Sequence, residues 1–170
     1  MKSLWILAAL ATAAHAEPHD AVTTQPLALV ARGISLGYEH LVTPRLSAVA
    51  LVGARAAAEA DYSSTTLTAG GELRFWPRAR PGRELRGLFL ALHASVGRTH
   101  LTDDVMDTSV GTSVELTERI DVGWRFVVRD RFAIAPTLGL GHHQDIDVGG
   151  RLATVDAPAL MIGVELGWLW

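Results

Sequence analysis

The chain alternates apolar and polar residues with a period of two over most of its length. The longest example runs from Val110 to Val128. One face of this segment is almost wholly apolar, while the other carries small, hydroxyl-bearing or charged residues from Gly111 to Arg125. Because successive side chains of a β-strand point to opposite sides of the sheet, this pattern predicts a strand with one apolar face.

The same pattern recurs between turn signals and predicts seven strands. After the N-terminal segment, no run of residues is long and apolar enough for a membrane-spanning helix, so the hydrophobicity is spread over strands. Single-chain bacterial barrels have an even number of strands, so we place an eighth strand in residues 21–31, turning near Arg32 and Gly33. Residues 29–40 can also be read as one strand. The seven strands are residues 33–41, 46–58, 65–76, 87–99, 110–127, 132–142 and 157–170.

These elements predict an all-β fold, an antiparallel eight-stranded up-and-down transmembrane β-barrel. A soluble lipocalin-like barrel or a β-sandwich is the alternative, because it also alternates but turns its apolar face inward. The polar face here mixes small residues with charges of both signs, which suits a narrow lumen. We therefore predict that ion pairs bridge the strands inside the barrel. The predicted network comprises Glu39, Arg55, Glu72, Arg74, Glu115, Arg119, Asp121, Arg125 and Glu165.

Two sets of connections alternate along the chain. One set lies at residues 43–45, 77–86 and 128–131, and the other at residues 59–64, 101–109 and 142–156. The aromatic residues gather near the first set, so we predict that this rim is the periplasmic interface belt. The aromatic residues are Tyr38, Phe75, Trp76, Phe89, Trp124, Phe126, Phe132, Trp168 and Trp170.

The N-terminus has the pattern of an export signal. Lys2 precedes the apolar run Leu4 to Ala14, and Ala14-His15-Ala16 forms an A-x-A cleavage site. This predicts a cleaved signal peptide at residues 1–16 and an outer-membrane barrel at residues 17–170. A retained membrane helix is the alternative, but the run is shorter than the roughly 20 residues that span a bilayer.

The amino-acid composition limits the classes of partner and cofactor that the protein is expected to bind. The mature chain carries 14 arginines and no lysine against 18 acidic residues, a formal net charge of −4, which argues against a nucleic-acid-binding surface. Cysteine is absent, which excludes disulfides, thiolate metal sites and the lipidated cysteine of a lipoprotein. We expect a monomer whose contacts are with outer-membrane lipid, and we expect no cofactor.

The segment Arg32-Gly33-Ile34-Ser35-Leu36-Gly37-Tyr38-Glu39 resembles the first hairpin of an uncharacterised bacterial family of small outer-membrane barrels. The chain is also broadly similar to small barrels of the OmpA and OmpW type. In those families the barrel-assembly machinery recognises a C-terminal aromatic residue, which is most often Phe. The resemblance therefore implies that Trp170 is the assembly signal and that this machinery is a partner during biogenesis.

His93-Ala94-Ser95 resembles the His-x-Ser pair of outer-membrane lipid A deacylases, in which His activates a Ser nucleophile. Glu115 on the neighbouring strand could complete a triad. Those enzymes present the pair toward lipid and nearer the C-terminus, whereas the alternation here turns both residues into the lumen. A lumen histidine is therefore the favoured interpretation, and a catalytic triad of His93, Ser95 and Glu115 is the alternative.

The segment from His142 to Asp147 offers imidazole and carboxylate groups close together, as a metal site would. Adjacent residues of a strand point to opposite faces, so His142 and His143 cannot easily bind one ion, and we predict a solvated loop. Asp103, Asp104 and Asp107 likewise indicate a polar loop tip, with Ca²⁺ binding as the alternative. No metal site is predicted.

The sequence thus predicts a small outer-membrane barrel with a side-chain-filled polar lumen and a structural or interaction role, with no specific activity assigned. An eight-stranded barrel has an interior just wide enough for side chains to fill it. The alternatives are a lipid-modifying enzyme of the lipid A deacylase type and a narrow channel for small solutes.

Overall fold

A computed structural model describes residues 19–30, 32–59, 61–80, 84–106, 108–147, 154–155 and 157–170. The predicted signal peptide, residues 1–16, lies outside this part of the chain. The elements are β1 (Asp20–Thr24), α1 (Pro26–Val30), β2 (Gly33–Thr43), β3 (Leu46–Glu59), β4 (Tyr62–Phe75), β5 (Gly87–Asp103), β6 (Thr108–Val128), β7 (Phe132–Asp147), β8 (Thr154–Val155) and β9 (Ala159–Leu169).

The strands close into a barrel. Each strand from β1 to β7 pairs antiparallel with the next, β7 pairs with β9, and β9 pairs with β1. The two-residue strand β8 pairs only with β7 and is not one of the strands that form the barrel wall. The predicted closed, antiparallel, eight-stranded fold is therefore confirmed.

The two faces of the barrel wall differ in the way that the alternation predicts. Large apolar residues lie exposed on the outside, and the residues between them face the lumen. The lumen carries polar and charged side chains, so the soluble alternative, with an inward apolar face, is excluded. This is the arrangement of a transmembrane barrel. The exposed outer residues include Leu36, Val52, Leu67, Leu73, Leu92, Ile120, Leu138, Leu140, Leu160 and Ile162.

The first strand is shorter than predicted. Instead of spanning residues 21–31 it ends at Thr24, because Pro26 starts the short helix α1, as proline favours the first turn of a helix. The alternative strand over residues 29–40 is also wrong, since β2 begins at Gly33. Arg32, rather than Gly33, takes the left-handed backbone conformation at the turn, with φ 54°. No helix among the described residues is long and apolar enough to cross a membrane.

The short first strand leaves a seam in the wall, which we define as the gap between Gly33–Ser35 of β2 and Ala159–Glu165 of β9. β1 pairs only with residues 166–169 of β9, so it does not reach this level. Helix α1 contacts both strands and covers the gap. Its residues Leu27 and Leu29 are exposed on the outside. The seam is therefore closed by side chains rather than by a hydrogen-bonded ladder.

We call the end of the barrel that holds Trp170 and the β2–β3, β4–β5 and β6–β7 connections the lower rim, and the other end the upper rim. Several aromatic residues encircle the lower rim on the outside, including Tyr38, Phe75 and Trp124. Trp76 and Phe89, however, were wrongly placed in this belt. Both are fully buried, with ring centroids 5.0 Å apart, because they lie on the lumen side of the alternation.

Strands β5, β6 and β7 extend further toward the upper rim than predicted. The segment predicted as a solvated loop from His142 is part of β7 as far as Asp147. Asp103 ends β5 and accepts hydrogen bonds from the backbone N–H groups of Val105 and Met106, at 2.9 and 3.0 Å, so its carboxylate stabilises a turn. Asp107 lies outside the described residues.

Gly123 of β6 tests how closely the lower lumen is packed. A Cβ at this position would overlap the buried ring of Phe89, whereas a Cβ on Gly111 of the same strand meets no atom within 4 Å. We expect Gly123→Ala to lower the free energy of unfolding by about 1–3 kcal/mol, because an overfilled core displaces its neighbours. Urea titration of the detergent-folded barrel, followed by tryptophan fluorescence, measures this change. Gly111→Ala is the control, and equal midpoints for the two variants would contradict the packing of Phe89 against β6.

Candidate functional site

Two arginines and two glutamates meet across the lower lumen. Arg74 of β4 donates from Nη1 to Glu39 at 3.0 Å, and it binds both carboxylate oxygens of Glu165, at 3.0 and 2.6 Å. Arg125 of β6 donates from Nη2 to Glu39 at 2.6 Å and to Glu165 at 2.8 Å. The four side chains come from β2, β4, β6 and β9, so the contacts cross the whole lumen. We call this group the plug.

The plug is buried among aromatic rings. Its side chains are almost completely shielded from solvent, with Arg125 and Glu39 at 0% side-chain exposure. The guanidinium carbon of Arg74 lies 5.0 Å from the ring centroid of Phe89, and that of Arg125 lies 5.1 Å from the ring centroid of Trp76. Such cation–π contacts stabilise the charges further. Buried charges without partners would be strongly unfavourable, so the pairing makes this arrangement possible.

A second layer of charged side chains lies above the plug. Arg74 Nε donates to Glu72, and Arg119 Nε donates to Asp121 at 2.7 Å. Arg119 Nη2 also lies 4.0 Å from Glu72 within this layer, and the contact between Arg74 and Glu72 links the layer to the plug. The structure thus brings most of the predicted network together. Arg55 and Glu115 form a separate pair 3.5 Å apart in the upper lumen.

The structure joins His93 and Ser95 to a different acid from the predicted one. His93 Nε2 lies 3.2 Å from Ser95 Oγ, and His93 Nδ1 lies 3.6 Å from Glu72 Oε2. Glu115 instead pairs in register with Gly97 and accepts a hydrogen bond from Thr99 at 2.5 Å. Glu115 is therefore not placed as the third member of a triad. Glu72 was missed as a partner of His93 because the contact follows from strand register, in which the two residues face each other on β4 and β5.

Above these layers the lumen opens into a cavity of about 260 Å³. Its lining combines polar residues with apolar ones such as Leu51, and the polar residues include Gln25, Thr66, His93, Ser95 and Thr117. Ala28 of α1 also lines it, so the cavity reaches the covered seam. The lumen is therefore divided into a closed lower half and a cavity in the upper half.

Side chains that can bind a metal lie at the upper end of β6 and β7. His143 and Asp145 share the lumen face of β7, while His142 and Gln144 point outward. Glu115 of β6 pairs in register with Asp145. One ligand atom from each of Glu115, His143 and Asp145 lies within 4.8 Å of the others. This group was not predicted from the sequence, because the segment from His142 was expected to be a loop and only the adjacent residues His142 and His143 were considered as ligands of one ion.

The closed strand order, the outward apolar face and the charged lumen define a β-barrel of the transmembrane class. No family model and no curated protein matches the chain. Among solved structures, the chain is similar to the β domain of the Bordetella autotransporter BrkA, with a TM-score of 0.41 and 12% sequence identity over 89% of this chain and 97% of that one. The more specific resemblance to the OmpA and OmpW type stays a prediction.

Replacing Arg74 tests whether the plug stabilises the barrel. Arg74→Met leaves the buried carboxylates of Glu39, Glu72 and Glu165 short of a positive partner, so we expect it to lower the free energy of unfolding by about 3–5 kcal/mol. Urea unfolding of the folded barrel measures the loss, and Arg98→Met, on the exposed outer face of β5, is the control. Adding Glu165→Gln to Arg74→Met should restore part of the stability. A loss no larger than that of the control would show that the plug does not stabilise the barrel.

Proposed function

We propose that this protein is a small outer-membrane barrel that is closed to solutes and acts as a structural or interaction component. In this proposal the mature protein is a monomer anchored by outer-membrane lipid, and its upper rim faces the cell exterior. No cofactor is needed for this role. The ends of β5, β6 and β7 at the upper rim would be the parts that a partner meets first.

The observation that carries this proposal is the plug. A conducting pore needs a continuous water-filled path, whereas the ion-paired side chains of β2, β4, β6 and β9 meet at 2.6–3.0 Å across the lower lumen. Opening such a path would require breaking several buried charge-assisted hydrogen bonds. The filled lower lumen favours a closed barrel over the narrow channel that the sequence left as an alternative.

Export and assembly fit the same proposal. The predicted signal peptide at residues 1–16 would direct the chain across the inner membrane, and the aromatic residues of the lower rim would form the periplasmic belt. Trp170 would be the signal for the barrel-assembly machinery. Its backbone is bonded to the start of β1, where Trp170 N donates to the carbonyl of Asp20 at 3.0 Å and His19 N donates to the carbonyl of Trp170 at 3.2 Å.

Fractionation and conductance together test this function. We expect the protein in the outer-membrane fraction, migrating faster on a gel before boiling than after it, because a closed barrel resists detergent until it is heated. We further expect no discrete conductance steps when the folded protein is added to a planar lipid bilayer. The double variant Arg74→Ala and Arg125→Ala is the comparison, and it should raise conductance if it folds. Regular steps from the unaltered protein would support a channel and contradict the closed barrel.

A second candidate function is supported by the contacts of His93. His93 Nε2 lies 3.2 Å from Ser95 Oγ, and both residues line the upper cavity, while Glu72 lies 3.6 Å from the other ring nitrogen of His93. This is the order of nucleophile, base and acid that ester hydrolysis uses. Ser95 Oγ would attack an ester carbonyl while His93 takes the serine proton and returns it to the departing alkoxide. Water would then release the acid by the same proton transfers in reverse. A lipid acyl chain would reach this cavity by displacing α1 from the seam.

The hydrolase candidate predicts that Ser95 reacts with a fluorophosphonate probe. We expect labelling of the folded protein to be lost in Ser95→Ala and strongly reduced in His93→Gln, because the serine needs its base. Ser113→Ala, which removes another serine of the lumen face, is the control. The mass of lipid A from cells with and without the protein gives an independent measurement. An unlabelled Ser95 together with unchanged lipid A would leave the closed structural barrel as the function.

A further inference from the structure

Three potential metal ligands converge at the upper end of the lumen. Glu115 and Asp145 are direct register partners on β6 and β7, and His143 lies two residues before Asp145 on the same face. Strand geometry therefore points all three side chains into the same space. They supply one imidazole nitrogen and two carboxylate oxygens, and the three ligand atoms lie within 4.8 Å of one another.

The spacing of these atoms suits a small divalent ion. Bonds of about 2.0–2.2 Å from Zn²⁺ to nitrogen and oxygen place neighbouring ligand atoms roughly 3–3.5 Å apart. His143 Nε2 and Asp145 Oδ1 are 3.1 Å apart and share a hydrogen bond, which a bound ion would replace. The ligand atom of Glu115 lies within 4.8 Å of the other two, and a rotation of its side chain would close the remaining distance. Three protein ligands would leave a fourth coordination position for water or another ligand.

The surrounding side chains orient two of these ligands. His143 Nδ1 lies 3.1 Å from Thr117 Oγ1, its register partner on β6. When Nδ1–H donates to this hydroxyl, the lone pair of Nε2 is free to bind an ion. Thr99 Oγ1 donates to Glu115 Oε1 at 2.5 Å and holds that carboxylate toward the lumen. Metal-binding histidines and carboxylates are commonly positioned by such outer hydrogen bonds.

We propose that Glu115, His143 and Asp145 bind a divalent transition-metal ion of the Zn²⁺ class. The imidazole nitrogen favours Zn²⁺ and its neighbours over Mg²⁺ and Ca²⁺, which prefer oxygen ligands alone. The ion would sit at the top of the lumen, close to the upper rim. Binding does not depend on the plug or on the activity of Ser95, since none of the three ligands belongs to the plug or contacts Ser95 as its base.

Arg55 would compete with the bound ion for the carboxylate of Glu115. Its Nη2 lies 3.5 Å from Glu115 Oε1, and its side chain is 54% exposed, so it can move into solvent. A bound cation would take over Glu115 and repel the guanidinium. Removing the positive charge at position 55 should therefore strengthen metal binding, which a simple surface ion pair with no metal role does not predict.

Titration of the folded, tag-free protein in detergent micelles tests the site. We expect one Zn²⁺ per chain by calorimetry, and one Co²⁺ per chain with a visible absorption band from ligand coordination. His143→Gln and Glu115→Gln should each weaken Zn²⁺ binding by about tenfold or more. His142→Gln is the matched control, because His142 is adjacent in sequence but points to the opposite face, and it should leave the affinity unchanged. Arg55→Gln should tighten binding.

Gel mobility before and after boiling shows which variants fold, and Asp145→Asn replaces any ligand variant that does not. Mg²⁺ at the same concentration should not compete with Zn²⁺. The proposal is overturned if the unaltered protein binds no stoichiometric Zn²⁺, or if His142→Gln weakens binding as much as His143→Gln does. Loss of binding in the ligand variants alone, with tighter binding in Arg55→Gln, would support it.

Discussion

The pairing of buried charges inside the lumen is the constraint on which the rest of the structure depends. A barrel in lipid cannot leave charged side chains on its outer wall at mid-membrane depth without a large free-energy cost, so the strands turn them inward. Once inside, Arg74 and Arg125 need carboxylates within hydrogen-bond distance, and Glu39 and Glu165 supply them from strands on other sides of the barrel. A slip of one residue in any of these strands would turn a charge toward lipid and leave its partner unpaired.

This constraint also divides the lumen into two functional halves. The lower half is filled by ion-paired side chains and by the rings of Trp76 and Phe89. The upper half is not filled in this way, so it contains a cavity that is lined by His93 and Ser95 and lies close to the carboxylate of Glu115. Any chemistry or binding inside this barrel therefore belongs to the upper half, while the lower half maintains closure.

Much of the fold could be predicted because a two-residue period is visible locally. The inward and outward residues of β6 follow directly from the alternation between Val110 and Val128. The points at which a strand is interrupted were harder to predict. Pro26 converts the end of the first strand into α1, although the surrounding residues are compatible with a strand. Phe89 and Trp76 were assigned to the outer aromatic belt because they are aromatic, although their positions in the alternation turn both side chains into the lumen. The partner of His93 could not be predicted, because it depends on the register of β4 against β5, which only the folded barrel fixes.

The ladder between the first and last strands has a mechanical consequence. It comprises four residue pairs, from Ala21–Leu169 to Thr24–Leu166, whereas β5 and β6 are joined along seventeen. Fewer cooperative hydrogen bonds mean a lower free energy of local opening. The wall is therefore least resistant where its two ends meet, and a force that spreads the cylinder would part β1 from β9 before separating any of the long hairpins.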